Sequence, residues 1–184
     1  SVFFFQAEDG IRNVERSRGL GEVYKRQAVE KQMGVQVPGR AEYVRVILCE
    51  LNRIASHLLF VGTFGLDAGA MTTVMFSFRG RERIQAVFEA ISGARMMHNY
   101  IRVGGVNEDL PKDFEERMRL LTDQLKGGIE ECDDLLSQIE MFLARTKGIG
   151  TISGEDAIAF GVTGPALRAS GVLEDVRISE PYSI

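Results

Sequence analysis

RAEYVRVILCELNRIASHLLFVGTFGLDAGAM, residues Arg40 to Met71, decides how the rest of the chain is read. Val44, Ile47, Leu48, Leu51, Ala55 and Leu58 recur at i, i+3 and i+4, the spacing of one helix face, while Glu50, Arg53 and His57 share another. The spacing predicts a long, largely buried helix that carries charge. Charged side chains are seldom fully buried unpaired, so Glu50 and Arg53 are expected to pair with each other at i, i+3. Gly62, Gly65 and Gly69 lie in the last third of the stretch, and each lowers helix propensity by about 1 kcal/mol relative to Ala. Such a cost is tolerated where another backbone or a ligand approaches closely. Close helix packing is therefore the first expectation and a cavity wall the sharper one.

Upstream, Ala28 to Met33 reads as the end of a helix, followed by a turn at Gly34 and an extended VQVPG, because Pro38 disfavours helix just before it. Residues 1 to 27 differ in character, with Phe3, Phe4 and Phe5 in a row and then a polar, mixed-charge stretch without helical periodicity. FFFQAEDGIR and SRGLGEVYKRQ resemble translated sequencing-adaptor DNA. Residues 1–27 are thus expected to be a non-native or disordered arm, and 28–184 the domain. The apolar patch Val2 to Phe5 has no basic region before it and no small-residue cleavage site after it, so it is not read as a secretory signal.

Downstream, Thr72 or Thr73 can cap a helix whose stripe is Ile84, Val87, Phe88 and Ile91, with Gly93 as its C-terminal stop. Arg79, Arg81, Glu82 and Arg83 read as a solvated face or a contact with an acidic neighbour. Ala94 to Arg102 is expected to continue as helix and to end before Gly104-Gly105. Phe114, Met118, Leu121, Leu125, Cys132, Leu135, Leu136, Ile139 and Phe142 trace another long helix with Gly127-Gly128 as its weak point. Ser153 and Asp156 have capping-box spacing for a short helix that Gly161 ends, and Gly164-Pro165 opens one more. DVRISEPYSI, residues 175–184, looks extended. The chain is expected to be mainly α.

The chain's 184 residues are enough for one domain with a real core, and a net charge of −4 gives no general attraction for nucleic acid. Apolar runs such as Leu58 to Val61 fall far short of the ~20 residues of a membrane-spanning helix. Cys49 and Cys132 lack C-x-x-C or His partners at ligand spacing, so they read as reduced structural thiols, and no metal site is expected. From these features alone a cytoplasmic protein is expected.

ELNRIASHLL, LDAGAMT, GARMMHNYIRVGGV, GVTGPALRASGV and EPYS follow one another in an order and spacing that resembles the large quinone-site subunit of bacterial NADH-quinone oxidoreductase. The resemblance covers Ala28 to Ile184. It implies the helical-bundle core of a fold similar to nickel–iron hydrogenase large subunits, truncated at both ends, in the quinone-reducing module of complex I. No cofactor is then bound directly: quinone is the substrate, and NADH and the iron–sulfur clusters belong to partner subunits. The implied partners are the small subunit holding the terminal iron–sulfur cluster, other peripheral-arm subunits and a membrane subunit completing the quinone site. The implied location is peripheral, on the cytoplasmic side of the bacterial inner membrane, and this piece alone is expected to be inactive.

On its residues alone, Asp67, set among Phe64, Leu66, Ala68, Ala70 and Met71, reads as a helix-end or partner-paired carboxylate. The resemblance implies a catalytic role. In the family the Asp of LD-x-GAM borders the quinone headgroup and pairs with a His from an upstream segment, a route for protons to reduced quinone. His57 is ten residues away, about 15 Å along a continuous helix, and reads as a satisfied histidine in a packed bundle. Leu59, Thr63 and Met75 match family positions that line the quinone cavity; on their own they read as core. Arg95 and His98 share a helix face in this reading and stand for a surface or a salt bridge. By resemblance, Arg95, Met97 and His98 lie near the partner's cluster. The family's His follows Arg-Met directly, where this chain has Met97, so His98 would be rotated by about 100° on a helix.

Two other readings stay open. One is a membrane-bound nickel–iron hydrogenase large subunit, whose Cys pairs would lie in terminal segments. The other is a non-catalytic helical scaffold whose polar residues serve only subunit contacts.

Overall fold

The computed structural model describes residues 20–96 and 98–179. α1 spans Leu20–Met33, α2 Gly39–Asp67 and α3 Met71–Ser92. A short hairpin follows, with β1 Ile101–Arg102 and β2 Gly105–Val106 paired antiparallel in the register Ile101 to Val106 and Arg102 to Gly105. α4 is Phe114–Ser137, and the short helices α5 Glu140–Thr146, α6 Gly154–Ala159, α7 Gly164–Ala169 and α8 Val176–Ser179 complete the order. The described residues are mainly helical.

α2 begins after Pro38, which is extended at φ −60° and ψ 137°. It packs along α3, and α4 packs on α3 from the other direction in sequence. Val44, Leu48, Leu51, Ala55 and Leu58 meet Ile84, Val87, Phe88 and Ile91, with Phe114, Leu121 and Leu125 closing the core. Burying each large apolar side chain contributes about 1.5–3 kcal/mol. The expected apolar face of α2 is therefore the buried one, with Ile47 partly covered at its edge.

The glycines of this region resolve into two kinds. A Cβ on Gly62 would sit 3.1 Å from Ser77 Cβ, and one on Gly65 3.0 Å from Thr73 Cβ, so both let α2 and α3 approach closely. Gly69 instead lies beyond the helix end at φ +93°.

Several expectations need correction. Thr72 and Thr73 do not cap α3: its N-cap is Ala70 without a side-chain hydrogen bond, and Thr73 is buried in the first turn. The described residues of the stretch Ala94 to Arg102 are not helix, because Gly93 at φ +74° closes α3 and Gly104 at φ +86° turns the chain into a hairpin instead. The helix from Phe114 runs straight through Gly127-Gly128 and breaks at Gln138-Ile139. Residues 176–179 form a helical turn rather than a strand. Apart from these corrections, α1 runs from Leu20 to Met33, and Arg26 donates to Asn99 Oδ1 at 3.1 Å. Residues 1–19 and 180–184, and with them most of the leading arm and the EPYS block, lie outside the described residues.

The Ser153–Asp156 capping box forms as expected: Asp156 N–H donates to Ser153 Oγ at 3.1 Å, and the hydroxyl donates to Asp156 Oδ2 at 2.7 Å. Pro165 stands in the first turn of α7.

Candidate functional site

The end of α2 is shaped by hydrogen bonds that its own sequence dictates. Ala70 N–H donates to Gly65 O at 2.7 Å and Gly69 N–H to Leu66 O at 3.0 Å, the paired bonds of a Schellman ending, which needs a left-handed residue at Gly69. Asp67 is thereby the last residue of α2 and exposed to solvent. Its helix-end character is legible in the sequence, but its surroundings are not.

α5 supplies those surroundings. The Phe64 ring stacks on Phe60 with centroids 5.7 Å apart and meets Phe142 edge-on at 5.9 Å. A Cβ on Gly69 would fall 2.5 Å from Arg145 Nη1 and 3.0 Å from Met141 Cε, so both side chains lie over the turn. Arg145 Nη1 donates to Ala68 O at 2.7 Å, placing a cation where the helix carries its negative end. The sequence pattern puts Phe142 in the stripe of one long helix and gives no sign of Met141 or Arg145. The helix break at Gln138-Ile139 brings all three to the turn.

Leu59, Thr63 and Asp67 fall at i, i+4 and i+8, one row along α2. Thr63 is exposed, and its hydroxyl donates back to Leu59 O at 2.9 Å, which leaves its methyl on the surface. Leu59 is half-buried. Met75, on the second turn of α3, is 73% exposed, Met71 69% and Phe60 62%. Of the four residues assigned to the cavity wall, three share this row, and Met75 stands across the turn on α3. None of Thr63, Asp67 and Met75 is core. His57 is exposed on α2 rather than packed in the bundle. An exposed carboxylate beside stacked phenyl rings and thioethers suits an apolar, ring-shaped ligand that exchanges protons.

The second group is dispersed. Arg95 pairs with Glu82 and, at 3.2 Å, with Glu89, so it is held by acidic residues of α3 on the surface. His98 is half-buried and stacks on Phe88, with centroids 4.3 Å apart and planes 13° from parallel. Arg95, Met96 and His98 are not helical, so the expected helix face shared by Arg95 and His98 does not exist. Met97 lies outside the described residues.

The pairing of Glu50 and Arg53 is present, with both contacts at 3.1 Å, but it lies partly exposed and contributes about 0.5 kcal/mol at most. The buried charge of α2 is Arg45. It makes a forked pair with Glu30 of α1, at 3.1 Å and 2.7 Å, and donates to Arg102 O and Gly105 O. The Arg45 guanidinium holds the Glu30 carboxyl below the usual carboxylate range, against the opposing pull of burial. Sequence reasoning misses this pair, since its members belong to different helices 15 residues apart.

Among the described residues, no group of three or more His, Cys, Asp or Glu side chains is placed to hold a metal ion, and no helix is long and apolar enough to cross a membrane.

A family model described as the 49 kDa subunit of respiratory-chain NADH dehydrogenase matches residues 67–184. The D-type NADH-quinone oxidoreductase subunit of Citrifermentans bemidjiense is 49% identical over 156 residues, 85% of this chain and 40% of that protein. Its counterpart of the same name in Clostridium beijerinckii is 46% identical over 165 residues, 90% of this chain and 45% of that protein. NADH-quinone oxidoreductase subunit 4 of Thermus thermophilus is 51% identical over 156 residues, 85% and 38% of the two chains. The chain spans about two fifths of the length of these curated relatives.

Proposed function

Because the chain belongs to the family of the 49 kDa subunit of respiratory-chain NADH dehydrogenase, we propose that it forms part of the quinone-reducing module of an NADH-quinone oxidoreductase. In this reading Leu59, Thr63, Asp67 and Met75 border the quinone, and Arg95, Met97 and His98 lie toward the neighbouring small subunit with the terminal iron–sulfur cluster. The helical core corresponds to that of hydrogenase-large-subunit-like folds. The whole enzyme is peripheral at this end, on the cytoplasmic face of the membrane, and takes its electrons from NADH through partner subunits. The names of the similar proteins favour this over a hydrogenase.

The observation that carries the reading is Asp67 itself. It is the exposed last residue of α2, and Phe60, Phe64, Met71, Met75 and Met141 are exposed around the same turn and its α5 flank. An apolar quinone ring gains from leaving water against such side chains, while the Asp67 carboxylate can take up a proton from water and pass it on to a reduced quinone oxygen.

The test is Asp67→Asn in the assembled complex. General acid–base catalysis of this kind is worth about 100-fold or more, so quinone reduction by NADH is expected to fall by that factor. Reduction of an artificial acceptor that takes electrons upstream should be unchanged. Undiminished quinone turnover would leave Asp67 as scaffolding.

A further inference from the structure

The β1–β2 hairpin has two residues per strand, and a hairpin of that size has little stability of its own. Its place is fixed from outside, by the burial of Ile101 and by charges that bind its backbone. Arg45 donates to two carbonyls, to Arg102 O from Nη2 at 2.7 Å and to Gly105 O from Nε at 3.2 Å and Nη2 at 2.9 Å, and Glu30 Oε1 accepts from Gly104 N–H at 2.7 Å. The side chains of Arg45 and Glu30 are only 4% and 6% exposed. Further along, Arg26 holds Asn99, His98 lies on Phe88, and Asn107 N–H donates to Tyr100 O at 2.8 Å. The 98–107 segment is thus held in two ways, by the buried pair at its backbone and by Tyr100 and Ile101, whose side chains are buried.

Stability does not explain why the fastening is ionic. Removing two charges from water costs several kcal/mol per ion before their attraction offsets it, and apolar replacements of similar size are often as stable. What apolar side chains cannot do is donate to two carbonyls and accept from an N–H at once. Only a forked guanidinium with its carboxylate meets all three backbone groups in one geometry.

We propose that Glu30 and Arg45 are positioning residues: their buried pair sets where the 98–106 backbone lies, and with it the surface that His98 and Asn99 offer, beside Arg95, to a neighbouring subunit. The proposal rests on the reading that residues 95–98 face the small subunit with the terminal cluster. Glu30 and Arg45 act through the hairpin, whose backbone they bind.

The test uses the assembled complex with three variants, Arg45→Lys, Glu30→Gln and the double change Glu30→Leu with Arg45→Met. The double variant removes both charges, so no unpaired ion is left to prevent folding. Expected are at least about tenfold faster hydrogen exchange at Gly104, which loses a charge-assisted bond, and an altered paramagnetic spectrum of the terminal cluster. Quinone turnover is expected to fall about tenfold, with upstream electron transfer to an artificial acceptor unchanged. Arg45→Lys keeps the charge but lacks the fork and should not restore the wild-type spectrum. Faster exchange with a wild-type spectrum and turnover would overturn the proposal and leave the pair a structural clasp. Arg95→Met separates the two levels. If it alters the cluster spectrum and the pair variants do not, only the positioning role fails; if none of them does, the reading of residues 95–98 fails as well.

Discussion

Arg145 Nη1 donates to the carbonyl of Ala68 at 2.7 Å, joining α5 to the end of α2 across 77 residues of chain. The bond is exposed, yet it falls on the residue after Asp67 and over the left-handed Gly69. Arg145→Met is expected to cost about 1 kcal/mol of stability. It should also lower quinone turnover, by less than Asp67→Asn does, because the turn loosens while the carboxylate stays. Urea midpoints and turnover of the complex check this, and wild-type values in both would make the contact incidental.

Two glycines predict opposite responses to the same added methyl. Gly65→Ala places a Cβ 3.0 to 3.2 Å from three atoms of the fully buried Thr73, and overpacking of this kind costs about 1–3 kcal/mol. Gly127→Ala meets open space inside α4 and should stabilise by about 0.5–1 kcal/mol. Thermal melting of the pair decides it; equal shifts would mean that α2 and α3 do not approach as closely as described.

Acid should weaken the contact between α1 and the hairpin. The Arg45 hydrogen bond lowers the Glu30 pKa in the folded state. A depressed folded value means that the contribution is fully present above the unfolded value of about 4.3 and is lost as pH falls from there through the folded one. Glu30→Gln should therefore flatten the dependence of stability on pH below about 4.3 and leave its shape near neutrality unchanged. Denaturant midpoints over that range provide the measurement, and an unchanged acid slope would contradict it.

Burial pushes the Cys49 thiol up to about 11, so its thiolate is scarce at neutral pH as well as enclosed. An alkylating reagent is expected to leave Cys49 unmodified in the folded protein and to label it in denaturant. Native-state labelling at the rate of a free thiol would refute this.

The helices that carry a regular apolar stripe are legible in the sequence. Val44 to Leu58 and Ile84 to Ile91 form the core as their spacing predicts, since periodicity and burial are the same information on an amphipathic helix. The Ser153 capping box and the stops at Gly93 and Gly161 are legible too, because they depend on residues within a few positions. What fails depends on partners distant in sequence. Nothing near Arg45 names Glu30, and nothing near Ala68 names Arg145. The hairpin reads as helix because Tyr100, Ile101 and Val103 suit either state, and the deciding bonds come from α1 and α2. Of the site, the position of Asp67 at a helix end is readable; the share of its flank that Met141 and Phe142 supply arrives with α5, whose separate existence the continuous stripe hides.

The crossing of α2 and α3 inverts the usual distribution of bulk. Gly62, Gly65, Ser77 and Gly80 lie at the crossing, and Phe60, Phe64, Met71 and Met75 face outward. Near the turn that joins them, helix separation is thus governed by backbone and small side chains, whose dimensions leave no slack. The outward rings and thioethers take no part in fixing it. Exchanging one of them for a larger or smaller apolar residue alters the contour of the surface without disturbing the frame behind it. Shape on that surface and architecture beneath it are separable variables, and fit to a hydrophobic guest can be varied by substitution while the fold remains constant.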